Sequence, residues 1–387
     1  MFIDTTLQLL SIIERFGYCL LRQLHVALVY NLKRENADEV AGDEVELMKE
    51  DGPTLVAPPV LKEATKTDTY AEWDTQETID AVRAALEQRH RVSLVEANEE
   101  AFQRFREIRP DIVFNVAEGF RGASREAQIP AMLEMLGIPY TGSDPITLGI
   151  CLDKSRAKEI LSFHGIPTPL FHVVSSLQDL RESNYSYPSI VKPLHEGSSK
   201  GIFNNSIVKD FVSLRAEVEK IVCEYDQPAL IEQFLSGREF TVALLGSHPD
   251  VRTLPVVEIR FDSLPPGVNP IYSYEAKWIW DQLDHPIDVH ECPARISSDL
   301  QKKIDTVCLE AFRLLGCRDW CRIDVRLDER GEPHILELNP LPGILPNPEE
   351  HSCFPQAARV AGIEYNAMIN AVLNSAIQRY GLAQIIT

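Results

Sequence analysis

The stretch CRIDVRLDERGEPHILELNPLPG, residues 321–343, has the alternating pattern of a β-hairpin with one apolar and one polar face. Along the first arm the apolar and the charged residues alternate as Ile323, Val325 and Leu327 against Arg322, Asp324 and Arg326. After a turn at residues 328–331, the same spacing places Leu336 and Leu338 on one face and Ile335, Glu337 and Asn339 on the other. With the apolar faces aligned, we expect Asp324, Glu337 and Asn339 to converge beside Arg322.

Two carboxylates and an amide oxygen are hard ligands, and they suit Mg²⁺ that carries nucleotide phosphates. A solvated polar face on an edge hairpin is the alternative, because alternation alone is common. The segment NPLPG at residues 339–343 favours the metal site, since a rigid turn that ends in Gly343 presents a backbone N–H to a ligand.

A second candidate site combines VKP at residues 191–193 with EGSSKG at residues 196–201. A lysine at the end of a strand, here Lys192, covers phosphates together with the N–H groups and hydroxyls of a Gly/Ser loop. The pattern differs from the GxxxxGK[ST] phosphate loop, and a flexible hairpin tip is the alternative. Lys154 is a third candidate phosphate ligand, although a helical lysine is usually only solvated.

Length and charge limit the class of protein. The chain has 387 residues, which predicts two or three domains at roughly 150 residues each. Its net charge is 38 − 58 = −20, so nucleic acid and anionic membrane surfaces are repelled and are not expected as partners. No apolar run approaches the length of a membrane span and no signal-peptide pattern is recognisable, so we expect a cytoplasmic protein. The eight scattered cysteines predict free thiols.

Along the chain, residues 1–23 are interpreted as a short amphipathic helix or an over-extended start of the reading frame. Alternating strands and helices over residues 24–150 predict an α/β domain with a parallel sheet, interrupted by a charged loop at 31–72. A single helix is predicted over 145–164. Beyond it, paired short strands predict α+β modules with three hairpins, whose arms are YPSIVKPL and GIFNNSIV, ALIEQFL and REFTVALLG, and CRIDVRLD and EPHILELN.

In order, these segments resemble the D-alanine–D-alanine ligase family of the ATP-grasp superfamily. The matching segments are TGSDPITLGICLDKSRAK, GIPTP, VKPLHEGSSKG, LIEQFLSGREFTV, SYEAKW, CPA, RIDVRLDERG, LELNPLPG and HSCFPQAARVAGI. The resemblance covers roughly residues 110–375. It implies an N-terminal parallel-sheet pre-ATP-grasp domain at 24–150 and a two-subdomain ATP-grasp fold. The first subdomain would span 151–240, and the second, with the metal site, 241–387.

The resemblance also implies roles for individual residues. ATP would be bound by Lys154, Lys192, Ser198, Ser199, Glu232, Gln233, Leu235 and Glu239, of which Glu232, Gln233 and Leu235 meet the adenine and Glu239 the ribose. Two Mg²⁺ ions, with Mn²⁺ as a substitute, would be held by Asp324, Glu337 and Asn339. Arg322, the N–H of Gly343 and Ser198 would be catalytic, with Arg322 and Gly343 stabilising an oxyanion. The substrate residues would be Glu118, Lys277, Trp278 and Ser352.

Three departures from the family pattern concern the first substrate. The Gly-Gly-x-Ser-x-Glu segment expected after the first strand is replaced by NLKRENADE at residues 31–39. The family's His-Gly is Glu118-Gly119, which changes the charge offered to the substrate unless Glu118 is only a helix cap. A tryptophan, Trp278, replaces the tyrosine of the loop that closes the site. Ser352 retains the residue that binds the carboxylate of the second substrate in the family.

The sequence therefore predicts an ATP- and Mg²⁺-dependent ligase that phosphorylates a carboxyl-type acceptor and couples it to the amine of an amino acid. Alternatives are a ligase that forms mycosporine-like imines on a cyclohexenone, a D-alanine–D-alanine ligase of cell-wall synthesis, and an ATP-binding regulatory protein without catalysis. The resemblance further implies a homodimer through the N-terminal domain.

Overall fold

A computed structural model describes residues 23–33, 72–265, 267–280, 289–350 and 352–382, apart from the side chains at 183 and 278–280. Two predictions therefore concern residues outside these ranges. They are the amphipathic helix or over-extended start at residues 1–23, of which only residue 23 is described, and the charged loop, of which residues 34–71 are not described.

The N-terminal domain is a three-stranded parallel sheet with helices on both faces. Its elements are β1 (His25–Tyr30), α1 (Gln76–Glu87), β2 (Arg91–Glu96), α2 (Ala101–Ile108), β3 (Ile112–Asn115) and α3 (Gln128–Leu136). The apolar run of β1 lies in the centre of the sheet, between β2 and β3, where both of its faces are buried. The predicted parallel-sheet architecture is confirmed.

The helix predicted over 145–164 is wrong in one respect, because two helices occupy this stretch: α4 (Pro145–Leu152) and α5 (Lys154–Phe163). Asp153 between them has extended backbone angles, φ −82° and ψ 92°. Its carboxylate accepts hydrogen bonds from the backbone N–H groups of Ser155 (3.0 Å) and Arg156 (3.2 Å) and so caps the second helix. As a result, Lys154 is the first residue of α5.

The next module is a four-stranded antiparallel sheet in the order β4-β7-β5-β6, covered by one helix. Its elements are β4 (Phe171–Val174), β5 (Ser189–Pro193), β6 (Ile207–Val208), α6 (Phe211–Glu224) and β7 (Ala229–Gln233). Apolar residues of α6 pack on the sheet and form a separate small core. Lys192 therefore lies near the end of β5, where the chain enters the Gly/Ser loop.

The last module is a six-stranded antiparallel sheet in the order β11-β10-β8-β12-β13, with β9 paired to β8. The strands are β8 (Glu239–Leu245), β9 (Arg252–Thr253), β10 (Val257–Ile259), β11 (His290–Glu291), β12 (Trp320–Leu327) and β13 (Pro333–Asn339). The helices are α7 (Ser298–Leu314), α8 (Cys353–Val360) and α9 (Tyr365–Arg379), and a π-helical turn spans Glu275–Trp280.

One of the three predicted hairpins is wrong. The strands β7 and β8, although separated by only five residues, belong to different sheets, so Ser236 and Gly237 form a crossing between modules instead of a hairpin turn. At this crossing a Cβ on Gly237 would lie 2.5 Å from the carbonyl oxygen of Leu327. The pairs β5–β6 and β12–β13 are antiparallel as predicted.

The two helices next to residue 150, the predicted boundary, pack on the same sheet. Cys151, Ala157 and Leu161 share a core with Phe240 and Ile323, so helices α4 and α5 pack against the six-stranded sheet. The four-stranded sheet draws its own core only from residues beyond this helix pair.

A second contact joins the six-stranded sheet to the N-terminal domain. The indole ring of Trp320 meets Phe114 of β3 and Phe354 of α8 edge to face, with centroids 5.6 and 5.9 Å apart. The parallel sheet and strand β12, which carries Asp324, are therefore held in one core. All seven cysteines in the described part of the chain are free, and no described helix is long and apolar enough to cross a membrane.

The crossing at Gly237 gives a test of the fold. We expect Gly237→Ala to lower the free energy of unfolding by about 1–3 kcal/mol, because the added methyl must displace the backbone of Leu327. In Gly149→Ala the methyl meets nothing within 4 Å, and replacing a helical glycine should stabilise the protein by roughly 0.5–1 kcal/mol. Urea unfolding of both variants checks the pair. If Gly237→Ala and Gly149→Ala had the same free energy of unfolding, the close approach of Gly237 to the Leu327 backbone would be contradicted.

Candidate active site

The hairpin β12–β13 brings the predicted metal ligands together. Asp324 lies directly opposite Glu337, and Arg322 opposite Asn339. The guanidinium of Arg322 donates to both oxygens of Asp324, at 3.1 and 3.0 Å, and the Asn339 amide donates to Asp324 Oδ2 at 3.3 Å. The carboxylates and the amide therefore share one face of the sheet.

The predicted orientation of Ile335 is wrong. The pairing register shifts after Asp324, so that Val325 lies opposite Ile335 and Leu336 is the extra residue of a bulge. Ile335 consequently turns into the core, where it is fully buried with Leu338, while Glu337 and Asn339 remain on the polar face.

Arg322 on the same hairpin and lysines from two other elements surround the two carboxylates. Lys154 Nζ, at the start of α5, lies 3.5 Å from Glu337 Oε2 and also donates to the carbonyl of Glu196. Although burial alone would raise it, the charges of Lys154, Lys192 and Arg322 hold the pKa of Glu337 at about 2. Burial and the neighbouring charge of Glu337 raise the pKa of Asp324 despite the opposing charge of Arg322.

This donor set fits a divalent cation. Asp324 and Glu337 place two like charges on opposed strands, which is destabilising unless a cation lies between them. Within the described ranges no group of three or more His, Cys, Asp or Glu side chains forms a metal site. Asp324, Glu337 and Asn339 would therefore supply only part of a coordination sphere, as is usual for Mg²⁺ bound together with phosphates and water.

One buried residue that the sequence reasoning did not single out is Lys158. Its ammonium lies 2.6 Å from Glu232 Oε1, and Lys192 lies 2.5 Å from Glu232 Oε2. Burial lowers the pKa of Lys158 to about 8. For Glu232 burial alone would raise the pKa, but the two ammonium groups hold it below its usual value. The signal that points to Lys158 is its position one helical turn after Lys154, on the same face of α5.

The other predicted nucleotide residues lie at the crossing between the four-stranded and the six-stranded sheet. The N–H of Gln233 already donates to the carbonyl of Leu170, at 2.8 Å, and Leu235 is buried. Glu239 accepts a hydrogen bond from Arg326 at 2.6 Å. Burial raises the pKa of Glu239, and the charge of Arg326 opposes this shift.

The Gly/Ser loop after β5 has a constrained backbone. Ser198 and Ser199 have positive φ angles, 49° and 60°, in the left-handed region that costs energy for residues with a Cβ. Ser199 donates its hydroxyl hydrogen to the carbonyl of Tyr272 at 2.8 Å. This contact ties the loop to the segment before the π-helical turn.

Four charged residues anchor the same loop to the N-terminal domain. None of them was given a role from the sequence, although Glu196 and Lys200 lie within the candidate segment EGSSKG. Arg125 donates to both oxygens of Glu72, at 3.1 and 2.9 Å, and to the carbonyl of His195 at 2.7 Å. Lys200 lies 2.7 Å from Glu196 and 3.5 Å from Glu72. No sequence periodicity links Glu72 to residues more than a hundred positions later, so only the fold reveals the network.

Gly343 and Ser352 form one unit. A Cβ on Gly343 would meet nothing within 4 Å, so this turn faces open space. The hydroxyl of Ser352 donates to the carbonyl of Gly343 (3.0 Å) and accepts from the N–H of Leu345 (3.3 Å). Ser352 therefore orients the turn that contains the predicted oxyanion donor.

Of the predicted substrate residues, Glu118 and Ser352 lie close to this turn. Glu118 and Gly343 line the same recess. Among the described residues Glu118 makes no hydrogen bond, so it does not cap a helix in that part of the chain. Lys277 lies in the π-helical turn, where burial, followed by the charge of Arg322, lowers its pKa to about 8. Trp278 belongs to the same turn, but its side chain lies outside the described part.

Asp74, which lines the same recess, gives a pH-dependent prediction. Burial raises the pKa of Asp74 to about 7, against roughly 3.9 in an unfolded chain. Between these values the folded state keeps a proton that the unfolded state releases, so the free energy of unfolding falls as the pH rises. We expect Asp74→Asn to raise that free energy by at least about 1 kcal/mol at about pH 8, but not at about pH 4.

Denaturant unfolding of Asp74→Asn at both pH values measures this difference. The matched control is Asp250→Asn, in which an exposed aspartate is replaced, and it should leave stability nearly unchanged at both values. Equal effects of Asp74→Asn at the two pH values would rule out a destabilising charge at this position.

Known proteins resemble this chain over most of its length. The family profile described as "D-ala D-ala ligase C-terminus" matches residues 161–374, more than half of the chain. A Sinorhizobium fredii protein described as "Uncharacterized protein y4sG" is 37% identical over 323 residues, which cover 80% of this chain and 90% of the relative. A protein of Pelotomaculum thermopropionicum named D-alanine–D-alanine ligase is 33% identical, covering 79% of this chain and 92% of its own length.

The crystal structure of a Bacillus anthracis D-alanine–D-alanine ligase complexed with ATP has the same fold. It superposes with a TM-score of 0.65 at 21% identity and covers 92% of this chain and 99% of its own. The predicted pre-ATP-grasp and ATP-grasp architecture is thus confirmed. The chain belongs to the D-alanine–D-alanine ligase family and is an ATP-grasp ligase that forms C–N bonds.

Proposed function

We propose that the protein uses Mg-ATP to phosphorylate the carboxyl group of a specialised first substrate and then couples it to the amine of an amino acid. One observation carries this proposal: Asp324 and Glu337 lie opposite each other, beside Arg322 and within reach of Lys154. A protein that only binds ATP has no need of this complete set of charges.

In the first step, a carboxylate oxygen of the substrate attacks the γ-phosphorus of ATP and the bond to the β-phosphate oxygen breaks, which releases ADP. Lys154 and Lys192 would neutralise the phosphate charges, and Asp324, Glu337 and Asn339 would hold two Mg²⁺ ions. Bound Mg²⁺ stabilises charge on the transferred phosphoryl group. The Gly/Ser loop, held by Glu72 and Ser199, would exclude water from the acyl phosphate.

In the second step, the neutral amine of the amino acid attacks the carbonyl carbon of the acyl phosphate. The carbonyl oxygen becomes negative, and Arg322 and the N–H of Gly343 would stabilise that charge. The tetrahedral intermediate collapses with loss of inorganic phosphate, and the amine nitrogen releases its proton to solvent. Ser352 supports this step by holding the Gly343 turn in place.

The surroundings of the first-substrate site support a specialised acceptor over D-alanine. Glu118 replaces the family's histidine, and the nearby carboxylates Glu72 and Asp74 come from a segment without the usual Gly-rich pattern. We further propose that the protein forms a homodimer through its N-terminal domain, as the family resemblance suggests.

ADP release with Mg-ATP tests the proposal. D-alanine alone is compared with a panel of amino acids, each with and without a cell extract, and product masses are recorded. We expect ADP release only when both substrates are present, the carboxyl compound from the extract and an added amino acid. Turnover on D-alanine alone would make the protein a D-alanine–D-alanine ligase, and no ADP release under any condition would contradict ligase activity.

The metal-site assignment has its own variants. Asp324→Asn and Glu337→Gln should each lower kcat by about 100-fold or more, since each removes a charge that would hold the metal at the transferring phosphate. The matched control is Glu329→Gln, in the exposed turn of the same hairpin, for which we expect kcat within about twofold of the parent protein. Undiminished turnover of Asp324→Asn and Glu337→Gln would refute the assignment.

A further inference from the structure

Three thiols that the proposed reaction does not use meet in the core that helices α4 and α5 share with the six-stranded sheet. Cys151 lies in α4, Cys317 in the segment between α7 and β12, and Cys321 in β12 itself. All three belong to the same apolar core, and the thiols of Cys151 and Cys321 each form a hydrogen bond with the thiol of Cys317. Cys317 is therefore the centre of this group.

Neighbouring residues hold α4 against the segment that carries Cys317. The hydroxyl of Thr147 donates to the carbonyls of Leu315 and Gly316, at 2.9 and 3.3 Å. A Cβ on Gly316 would lie 3.1 Å from that hydroxyl, so the helix packs directly on the segment. Because residues four apart lie on the same face of a helix, Cys151 follows Thr147 on the side that meets Cys317. The approach of the two thiols is thus fixed by contacts that are not their own.

Cys308 shows how an ordinary buried cysteine behaves in the same core. It is fully buried in α7, and burial raises the pKa of its thiol well above the usual value. Such a cysteine packs as a small apolar residue and is inert. Cys317 differs, because hydrogen bonds from Cys151 and Cys321 lower the pKa of its thiol, although burial opposes this shift. Since the thiolate is the reactive form of cysteine, Cys317 is the nucleophile of the group.

Access favours Cys151 over Cys321 as the partner of Cys317. Cys321 is fully buried, whereas Cys151 and Cys317 keep 4% and 5% of their surface exposed. An oxidant that enters from the surface therefore meets Cys151 and Cys317 first. A bond between these two residues also joins separate elements, since 166 positions of the chain lie between their numbers, 317 − 151.

We propose that Cys151 and Cys317 are a redox site that a peroxide closes to a disulfide. The Cys317 thiolate attacks one oxygen of hydrogen peroxide, the O–O bond breaks with release of hydroxide, and a sulfenic acid forms. The sulfur of Cys151 then attacks the sulfur of Cys317, and the S–O bond breaks with loss of water. In balance, two thiols are oxidised and one hydrogen peroxide is reduced, giving one disulfide and two water molecules.

The redox site lies next to two elements of the candidate active site. Lys154, the predicted phosphate ligand, comes three residues after Cys151, and Arg322 lies in the strand that follows Cys317. A covalent link between Cys151 and Cys317 would restrict movement between the start of α5 and β12. Formation of this disulfide does not depend on the proposed ligase function, so it can be tested without a known substrate.

Peptide mapping of the full chain tests the site. The folded protein is treated with hydrogen peroxide, free thiols are blocked with iodoacetamide in denaturant, and the digest is analysed by mass spectrometry without reductant. We expect the peptides of Cys151 and Cys317 to be linked at least about tenfold more often than any other cysteine pair, and dithiothreitol to restore both thiols. Absence of this link, or a dominant link of Cys317 to Cys321, would overturn the proposal.

The same treatment in urea separates the effect of the fold from the chemistry of the reagent. We expect the preference for the Cys151–Cys317 link to disappear there, because the unfolded chain no longer holds the two thiols together. A preference that persisted in urea would contradict a site built by the fold. Dimedone present during oxidation of the folded protein should label Cys317, as the sulfenic acid forms on that sulfur. Labelling of Cys151 instead would refute the assignment of the nucleophile.

Variants identify the residues. Cys317→Ser should leave Cys151 as a free thiol after peroxide treatment, whereas Cys321→Ser should still form the link between Cys151 and Cys317. The matched control is Cys223→Ser, which removes an exposed thiol and should leave the yield of the link within about twofold of the parent protein. Cooperative urea unfolding shows that each variant is folded. A folded Cys321→Ser variant without the link would show that Cys321, and not Cys151, is the required partner.

Discussion

Two carboxylates of like charge, Asp324 and Glu337, lie opposite each other on neighbouring strands, and this repulsion must be balanced by cations. The balancing charges come from separate parts of the chain: Arg322 on the same strand, Lys154 at the start of a helix and Lys192 at the end of another sheet. No single module contains the complete set. The charge balance of the hairpin is therefore satisfied only when both ATP-grasp subdomains are in contact.

The need for positive charge beside Asp324 and Glu337 also explains two local arrangements in other parts of the chain. Asp153 interrupts a helical stretch and thereby puts Lys154 at a helix N-terminus, where N–H groups and the helix dipole add positive potential. Glu232 keeps Lys158 and Lys192 together in a fully buried site, which would be unfavourable for either ammonium alone. Both arrangements concentrate positive charge where a triphosphate would lie.

Much of the fold, and the meeting of the candidate metal ligands on one face, could be predicted because the deciding patterns are local. The two-residue period of β12 and β13 placed Asp324, Glu337 and Asn339 together, and alternating strands and helices indicated the parallel sheet. The bulge that turns Ile335 inward was not predictable, since it depends on pairing register. The β7–β8 connection looked like a turn, but the two strands belong to different sheets and the connection crosses between them, close to Leu327.

Other features were missed because they join distant residues. Glu72 meets Arg125 and Gly197 across 53 and 125 positions, and no sequence motif marks such a contact. At Asp153 no glycine or proline marks the break in residues 145–164, and the capping role of Asp153 becomes visible only in its backbone angles and hydrogen bonds.

The backbone bonds of Asp74 to Asn31 and Lys33 also bear on how this family diversifies. They bring the chain back beside the strand it left, so the two ends of the intervening segment are neighbours in space. A segment closed at its base tolerates insertions and deletions at little entropic cost. Natural variation can therefore lengthen or shorten this segment without disturbing the hairpin that carries Asp324 and Glu337.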